Sequence, residues 1–219
     1  MTLVTTMNEE KWLSLTDPKE IISWIVQSCQ KDIPPLGTLS TRKMRWLSAH
    51  IWWLAFGSEN CDIQKDNLHW AENSGEVHHS STWEYLDRIG RDYLVPHATY
   101  LLNLTRMFHD VIGNPFKPII QQEGKSPLWD MEQHGMWTPP YAMIRNEWLT
   151  WNNSTVTYLA KEIEEKRNLE GTLDQELLPI LADALEESGC DIPEMIGHLR
   201  QDQLHWRGCW VLDLLLGKE

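Results

Sequence analysis

The sequence predicts an all-α protein, a compact irregular bundle of about 7–9 helices with one long kinked helix and a long proline-rich loop. Apolar residues recur every three to four positions, capping residues, prolines and glycines bound these segments, and no run alternates as a strand does. The 219 residues suffice for a substantial core, and 42% hydrophobic with 23% charged residues is typical of a globular chain. We therefore expect a single helical domain over residues 1–219, with any subdivision near segment 115–147.

Capping residues mark the first two helices. Asn8, followed by two acidic residues, predicts an N-cap, because its side chain accepts from free backbone N–H groups and the helix dipole favours acids. Asp17 and Pro18 begin a second helix, and Glu20 completes a capping box. The apolar positions of this second helix recur at helical spacing and are Ile21, Ile22, Ile25, Val26 and Cys29.

The middle of the chain predicts a shorter helix and then the longest one. Apolar residues at 44–55 fall on one helical face. A capping box at residues 81–84 begins a stripe that continues to Ile112 over about seven turns. Pro96 lies inside this stripe, so we expect a kink at residues 92–97, because proline removes a backbone donor and clashes with the preceding turn.

The last third of the chain predicts an irregular connection followed by four helices. Segment 115–147 contains five prolines and scattered apolar residues, which is typical of a long loop. Helices are expected from Asn152 or Asn153, over residues 177–187 and from Asp191. The ending CWVLDLLLG is apolar nearly all round and predicts a buried terminal helix, so no strand is needed anywhere.

Composition excludes several classes of function. A net charge of −13 repels phosphate backbones, which disfavours nucleic-acid binding. No 18 apolar residues run together and no basic region precedes an apolar one at the start, so we expect neither a membrane span nor a signal peptide. Four cysteines without a C-x-x-C pair fit a reducing compartment, and we expect the cytoplasm.

Recognition of another protein is the function that the sequence favours. Thirteen tryptophans exceed the usual share, and such rings either fill gaps between helices or form recognition surfaces. Three basic residues lie in the first turn of one predicted helix, where the helix dipole opposes their charge. They therefore either form ion pairs within this acidic chain or bind an acidic partner segment or a nucleotide phosphate. The candidate partner-binding residues are Arg42, Lys43, Arg45, Trp52, Trp53, Trp129 and Trp137. We expect a binding or regulatory subunit of a cytoplasmic complex.

A small metal-dependent enzyme is the alternative, with acid–base chemistry near His97 at the kink or a metal near the C-terminus. Thiolate and imidazole are zinc ligands, and the C-terminal candidates are Cys190, His198, His205 and Cys209. Their spacing matches no finger or ribbon pattern, and the two histidines share a face only if one helix spans both. The spacing therefore favours structural histidines bonded to Asp202 or Asp213, and no cofactor is expected.

The sequence lacks the common catalytic motifs. It contains no G-x-S-x-G, no phosphate-binding glycine loop and no H-E-x-x-H. The sequence therefore leaves open whether the protein is an enzyme, and it favours a binding function.

Several segments carry a resemblance to a known family: EEKWLSLTDP, RKMRWLSAHIWW, GNPFKP, EWLTWNNSTVTYLAKEIEEKR, LPILADALEESGC and HWRGCWVLDLLLGKE. Together they resemble a large family of uncharacterised proteins encoded in many copies by planctomycete bacteria. The likeness covers the N-terminal quarter and roughly the last hundred residues. Family members usually have several cysteines and arginines after the basic stretch, where this chain reads SAHIWWLAF. The resemblance implies a helical cytoplasmic protein and brings no established activity.

Overall fold

The structure is a computed structural model that describes residues 7–30, 43, 47, 98–116, 119–120, 142–166 and 171–218. The predicted all-α class is confirmed, because seven helices account for most of the described residues. They are α1 (Glu9–Ser14), α2 (Pro18–Gln30), α3 (Ala98–Ile112), α4 (Asn146–Glu165), α5 (Leu177–Glu187), α6 (Pro193–Leu199) and α7 (Trp210–Leu216). None of them is both long and apolar enough to span a membrane.

One short parallel pair of strands departs from the strand-free prediction. Strand β1 (Ile119–Ile120) pairs with β2 (Ala142–Met143), with Ile119 opposite Ala142. The pair is two residues long, which is below the length that alternating hydrophobicity reveals in a sequence. It joins the two ends of the predicted irregular connection without changing the fold class.

The first two helices form with the caps that the sequence predicts. The Asn8 side chain accepts a hydrogen bond from the backbone N–H of Lys11 at 2.8 Å. The Asp17 carboxylate accepts one from the backbone N–H of Lys19 at 2.9 Å. Both bonds satisfy donors that a helix leaves without an internal partner. Helix α2 then packs against α3.

These helices enclose the N-terminal core. Its buried members come from α1, α2, α3 and the residue that follows α1, with Leu47 and one tryptophan from near the C-terminus. They are Trp12, Leu15, Ile21, Ile22, Ile25, Leu47, Leu104, Met107, Phe108, Val111, Ile112 and Trp206. The stripe predicted on the long helix is therefore its buried face over the described part, and the expected kink at residues 92–97 lies outside the described residues.

Helices α4 to α7 enclose a second, C-terminal core. Helix α4 packs against α5 and α7, and α5 packs against α6. Large buried members of this core are Trp148, Leu181, Leu185, Met195 and Leu212. The prediction of a buried terminal helix is confirmed, since Val211, Leu212, Leu214 and Leu215 of α7 are all buried.

Helix α4 begins earlier than predicted and is interrupted. The expected start at Asn152 or Asn153 lies inside the helix, where the backbone of residues 151–154 leaves helical geometry. Asn152, Asn153 and Ser154 have φ values of 45°, 59° and 64°, in the left-handed region that asparagine tolerates better than most residues. The apparent cap in the sequence is therefore a break between two helical halves.

Candidate metal centre

Four buried side chains converge where α3 meets the C-terminal helices. One potential ligand atom from each of Asp110, His198, His205 and Cys209 lies within 4.8 Å of the other three. His198 is 7% exposed and the other three residues are 0% exposed. Carboxylate oxygen, imidazole nitrogen and cysteine sulfur are all zinc ligands.

Asp110 lies at the centre of this group. It belongs to α3, three residues after the buried Met107 and directly before the buried Val111, so the helix directs its carboxylate inward. Its Oδ1 lies 3.0 Å from His198 Nε2 and 2.6 Å from His205 Nδ1. The backbone N–H of Trp206 donates to its Oδ2 at 2.7 Å. This last bond orients the carboxylate so that one oxygen faces both rings.

His198 lies near the C-terminal end of one short helix, and Cys209 lies at the N-terminal end of the next one. His198 lies in the last turn of α6, and Cys209 is the N-cap residue of α7. The Nε2 atom of His198 lies 3.3 Å from the Cys209 sulfur. The backbone N–H groups of Val211 and Leu212 donate to that sulfur. Donors at this position favour a thiolate, which is the form that binds metals.

The backbone around His205 is held by an antiparallel bridge between Thr172 and Trp206. The N–H of Leu173 donates to the His205 carbonyl at 2.9 Å, and the N–H of Arg207 donates to the Gly171 carbonyl at 2.9 Å. These bonds give the loop after α6 a defined conformation. His205 is thereby directed back towards His198, with the two rings edge to face at 4.8 Å between centroids.

The surroundings lower the pKa of the Asp110 carboxyl and raise the pKa of the Cys209 thiol. Burial alone would raise the pKa of the Asp110 carboxyl, but the hydrogen bonds with His198 and His205 outweigh it and hold that pKa well below its usual range. Burial raises the pKa of the Cys209 thiol well above its usual value, and the negative charge of Asp110 raises it further. Without a cation, the site therefore holds an ionised carboxylate beside a protonated thiol.

Two of the separations between ligand atoms are close to those around a tetrahedral zinc ion. Zinc–ligand distances of about 2.0–2.3 Å place neighbouring ligand atoms about 3.3–3.6 Å apart. The His198 nitrogen is 3.3 Å from the Cys209 sulfur and 3.0 Å from the Asp110 oxygen, close to those values. The His205 nitrogen and the Asp110 oxygen are 2.6 Å apart and would need to separate by roughly 0.7 Å.

A cysteine-nucleophile mechanism does not fit the geometry. In a nucleophile–base–acid triad, one ring nitrogen contacts the nucleophile and the other contacts the acid. Here a single atom, His198 Nε2, contacts both the Cys209 sulfur and the Asp110 carboxylate. The sulfur is also fully buried, so a substrate could not reach it. The group is therefore suited to holding an ion and unsuited to covalent catalysis.

The structure brings together three of the four C-terminal residues named as metal candidates. His198, His205 and Cys209 share the centre, whereas Cys190 is not part of the group. The expectation that Asp202 or Asp213 would bind the two histidines is corrected, because the carboxylate that contacts both rings is Asp110. The helix ends at Leu199 and the chain turns back, which brings the histidines together without one continuous helix.

Asp110 is the residue that sequence reasoning missed. It is 88 residues from His198 and 95 from His205, so linear spacing carries no sign of the contact. One local signal was present, because a carboxylate beside Met107 and Val111 on an apolar helix face needs a buried partner. That signal identifies an unusual residue without naming its partner.

The predicted partner-binding residues lie outside the described residues, with the exception of Lys43. The Lys43 side chain is buried, and its Nζ donates to the carbonyl of Val111 at 3.1 Å. A cation at the last turn of α3 is favoured by the helix dipole. Lys43 therefore serves the fold here, while docking by Arg42, Arg45, Trp52 and the other named tryptophans stays a prediction.

No known protein family matches this sequence, no curated protein is significantly similar to it, and no solved structure matches its fold. The resemblance to the planctomycete family stays a prediction. The chemistry of the four-residue centre is therefore the basis for inferring function.

Proposed function

We propose that this protein is a zinc-binding helical module in which Asp110, His198, His205 and Cys209 hold one Zn²⁺ ion. The observation that carries the proposal is the convergence of their four ligand atoms within 4.8 Å in the buried interior. The ion maintains a scaffold and catalyses no reaction.

Donor chemistry supports zinc over other common ions. A mixed set of one thiolate, two imidazoles and one carboxylate suits a four-coordinate borderline ion. Calcium and magnesium prefer six or more oxygen ligands, and this group offers one or two. A blue-copper site pairs two histidines and a cysteine with a weak axial ligand, whereas the fourth donor here is a strong carboxylate.

Charge balance supports a divalent cation. The ionised carboxylate of Asp110 and a thiolate at Cys209 contribute two negative charges, and neutral histidines contribute none. A Zn²⁺ ion makes this buried group neutral overall, which removes the large desolvation penalty of isolated charge. The backbone N–H of Trp206 would then act as the outer hydrogen bond that orients a ligating carboxylate.

Access to the centre supports a structural ion. Catalytic zinc sites keep one coordination position for water or substrate, whereas structural sites fill all four with protein ligands. Four protein ligands are present here, and none is more than 7% exposed. A structural ion leaves binding to the surfaces of the protein, and we propose that tryptophans other than the buried Trp12, Trp148 and Trp206 recognise another protein.

Elemental analysis of the purified full-length chain tests the proposal. We expect about one zinc per chain after desalting, because four buried ligands release the ion slowly. Iron, copper and nickel are measured in the same sample to identify a competing ion. A chain that binds no stoichiometric transition metal, even after refolding with excess Zn²⁺, would contradict the proposal.

A further inference from the structure

The described residues form two apolar cores that share few side chains. The N-terminal core takes its described members from residues before 113, with the single exception of Trp206. The buried members of the C-terminal core all come from residue 144 onwards. Each core therefore has its own apolar packing, and few described side chains connect them.

Among the described residues, the contacts between the cores lie around the metal centre and include Asp110, Gly113, Trp206 and Trp210, here called the inter-core contact. The ring of Trp206 enters the N-terminal core from the chain that carries His205. The Asp110 side chain extends from α3 in the N-terminal core and contacts both histidines. The backbone of Gly113 lies against the Trp210 ring, since a Cβ at this glycine would be 2.9 Å from its Cγ.

Three of the proposed zinc ligands follow α5, and Asp110 is the one that belongs to the N-terminal core's own helix. From this arrangement we propose that zinc binding controls the docking of the two cores: the bound ion holds α3 against the C-terminal helices, and loss of the ion releases it. This inference rests on the proposed zinc centre. It adds that the ion regulates one interface and does not stabilise the whole chain uniformly.

The physical reason is that the ion would bond to Asp110 on α3 and to three ligands on or between the C-terminal helices at the same time. Zinc neutralises the Asp110 carboxylate and the Cys209 thiolate at the same time. Without zinc, docking buries the Asp110 charge with two hydrogen-bonding rings and one backbone N–H as its support. Those hydrogen bonds contribute less than coordination of zinc does, so loss of the ion weakens the attachment of α3 to the C-terminal helices. The C-terminal core keeps its apolar contacts in either state.

Hydrogen exchange of the full-length chain, with and without a zinc chelator, tests the proposal. We expect chelation to speed exchange of the α3 amides by at least about tenfold, while the α5 amides change by less than about twofold. Zinc content is measured on the same samples. Adding Zn²⁺ back should restore the protection of α3.

Two aspartate variants supply matched controls. Asp110→Asn removes the ligand charge, so α3 should exchange rapidly before chelation and a chelator should add little. Asp183→Asn changes the same residue type on the exposed surface of α5, where the carboxylate pairs with Arg200, and it should behave as the unmodified chain does.

The outcomes separate this inference from the zinc proposal. If bound zinc is present and chelation speeds exchange equally in α3 and α5, the ion is a general stabiliser and the docking inference is wrong. If bound zinc is present and neither helix changes, docking is independent of the ion and the inference is also wrong. If the chain binds no zinc, both proposals fail together.

Discussion

Replacing Cys209 with serine is expected to reduce bound zinc from about one ion per chain to less than about a tenth of that. A serine hydroxyl stays protonated near neutral pH and cannot replace the thiolate, which also carries half of the negative charge that balances the ion. We expect zinc affinity to fall by at least about 100-fold, because even outer-shell changes cost about 10- to 100-fold. Competition with a zinc-binding dye measures the affinity of each variant.

The chain supplies a matched control in Cys190→Ser. Cys190 is also a buried free thiol, and burial raises its pKa, but it lies outside the four-residue group. This variant should keep its zinc while losing some stability through imperfect burial of a hydroxyl. Equal zinc retention by the two variants would show that Cys209 is not a ligand.

Replacing Gly113 with alanine is expected to destabilise the protein by about 2–5 kcal/mol, for two reasons that add. Gly113 has φ of +72°, a conformation that costs an L-residue roughly 1–2 kcal/mol. The new methyl group would also lie 2.9 Å from the Trp210 ring, and overpacking of this kind costs about 1–3 kcal/mol. Urea unfolding followed by circular dichroism measures the free energy of unfolding.

Gly197→Ala is the control for the same chemical change. Gly197 lies inside α6, its backbone is not in the left-handed region, and nothing lies within 4 Å of the position a Cβ would take. Alanine should therefore stabilise this helix by about 0.5–1 kcal/mol. Similar effects of the two substitutions would contradict the tight approach of Trp210 to the end of α3.

Local features of the fold could be predicted from the sequence because their causes are local. The side chains of Asn8 and Asp17 accept hydrogen bonds from backbone N–H groups in the first turns of their own helices. The terminal helix at 210–216 is apolar on nearly every face, and this pattern alone predicts its burial. The break in α4 was missed, because the asparagines that adopt left-handed geometry are also typical N-cap residues. One residue type therefore fits two different local structures.

The candidate site could be predicted only in part, because it depends on contacts that are distant along the chain. His198, His205 and Cys209 were recognisable as zinc-type ligands close together in sequence. The turn that brings His205 back depends on the bridge between Thr172 and Trp206, and the fourth ligand lies on α3. Neither contact leaves a periodic or spacing signal.

X-ray absorption at the zinc edge of the purified full-length protein is the most direct test of the zinc centre. The account predicts four ligands, with one sulfur at about 2.3 Å and three nitrogen or oxygen atoms at about 2.0–2.2 Å. A zinc ion surrounded by six oxygen or nitrogen atoms, or one without any sulfur ligand, would contradict coordination by Cys209 and its three partners.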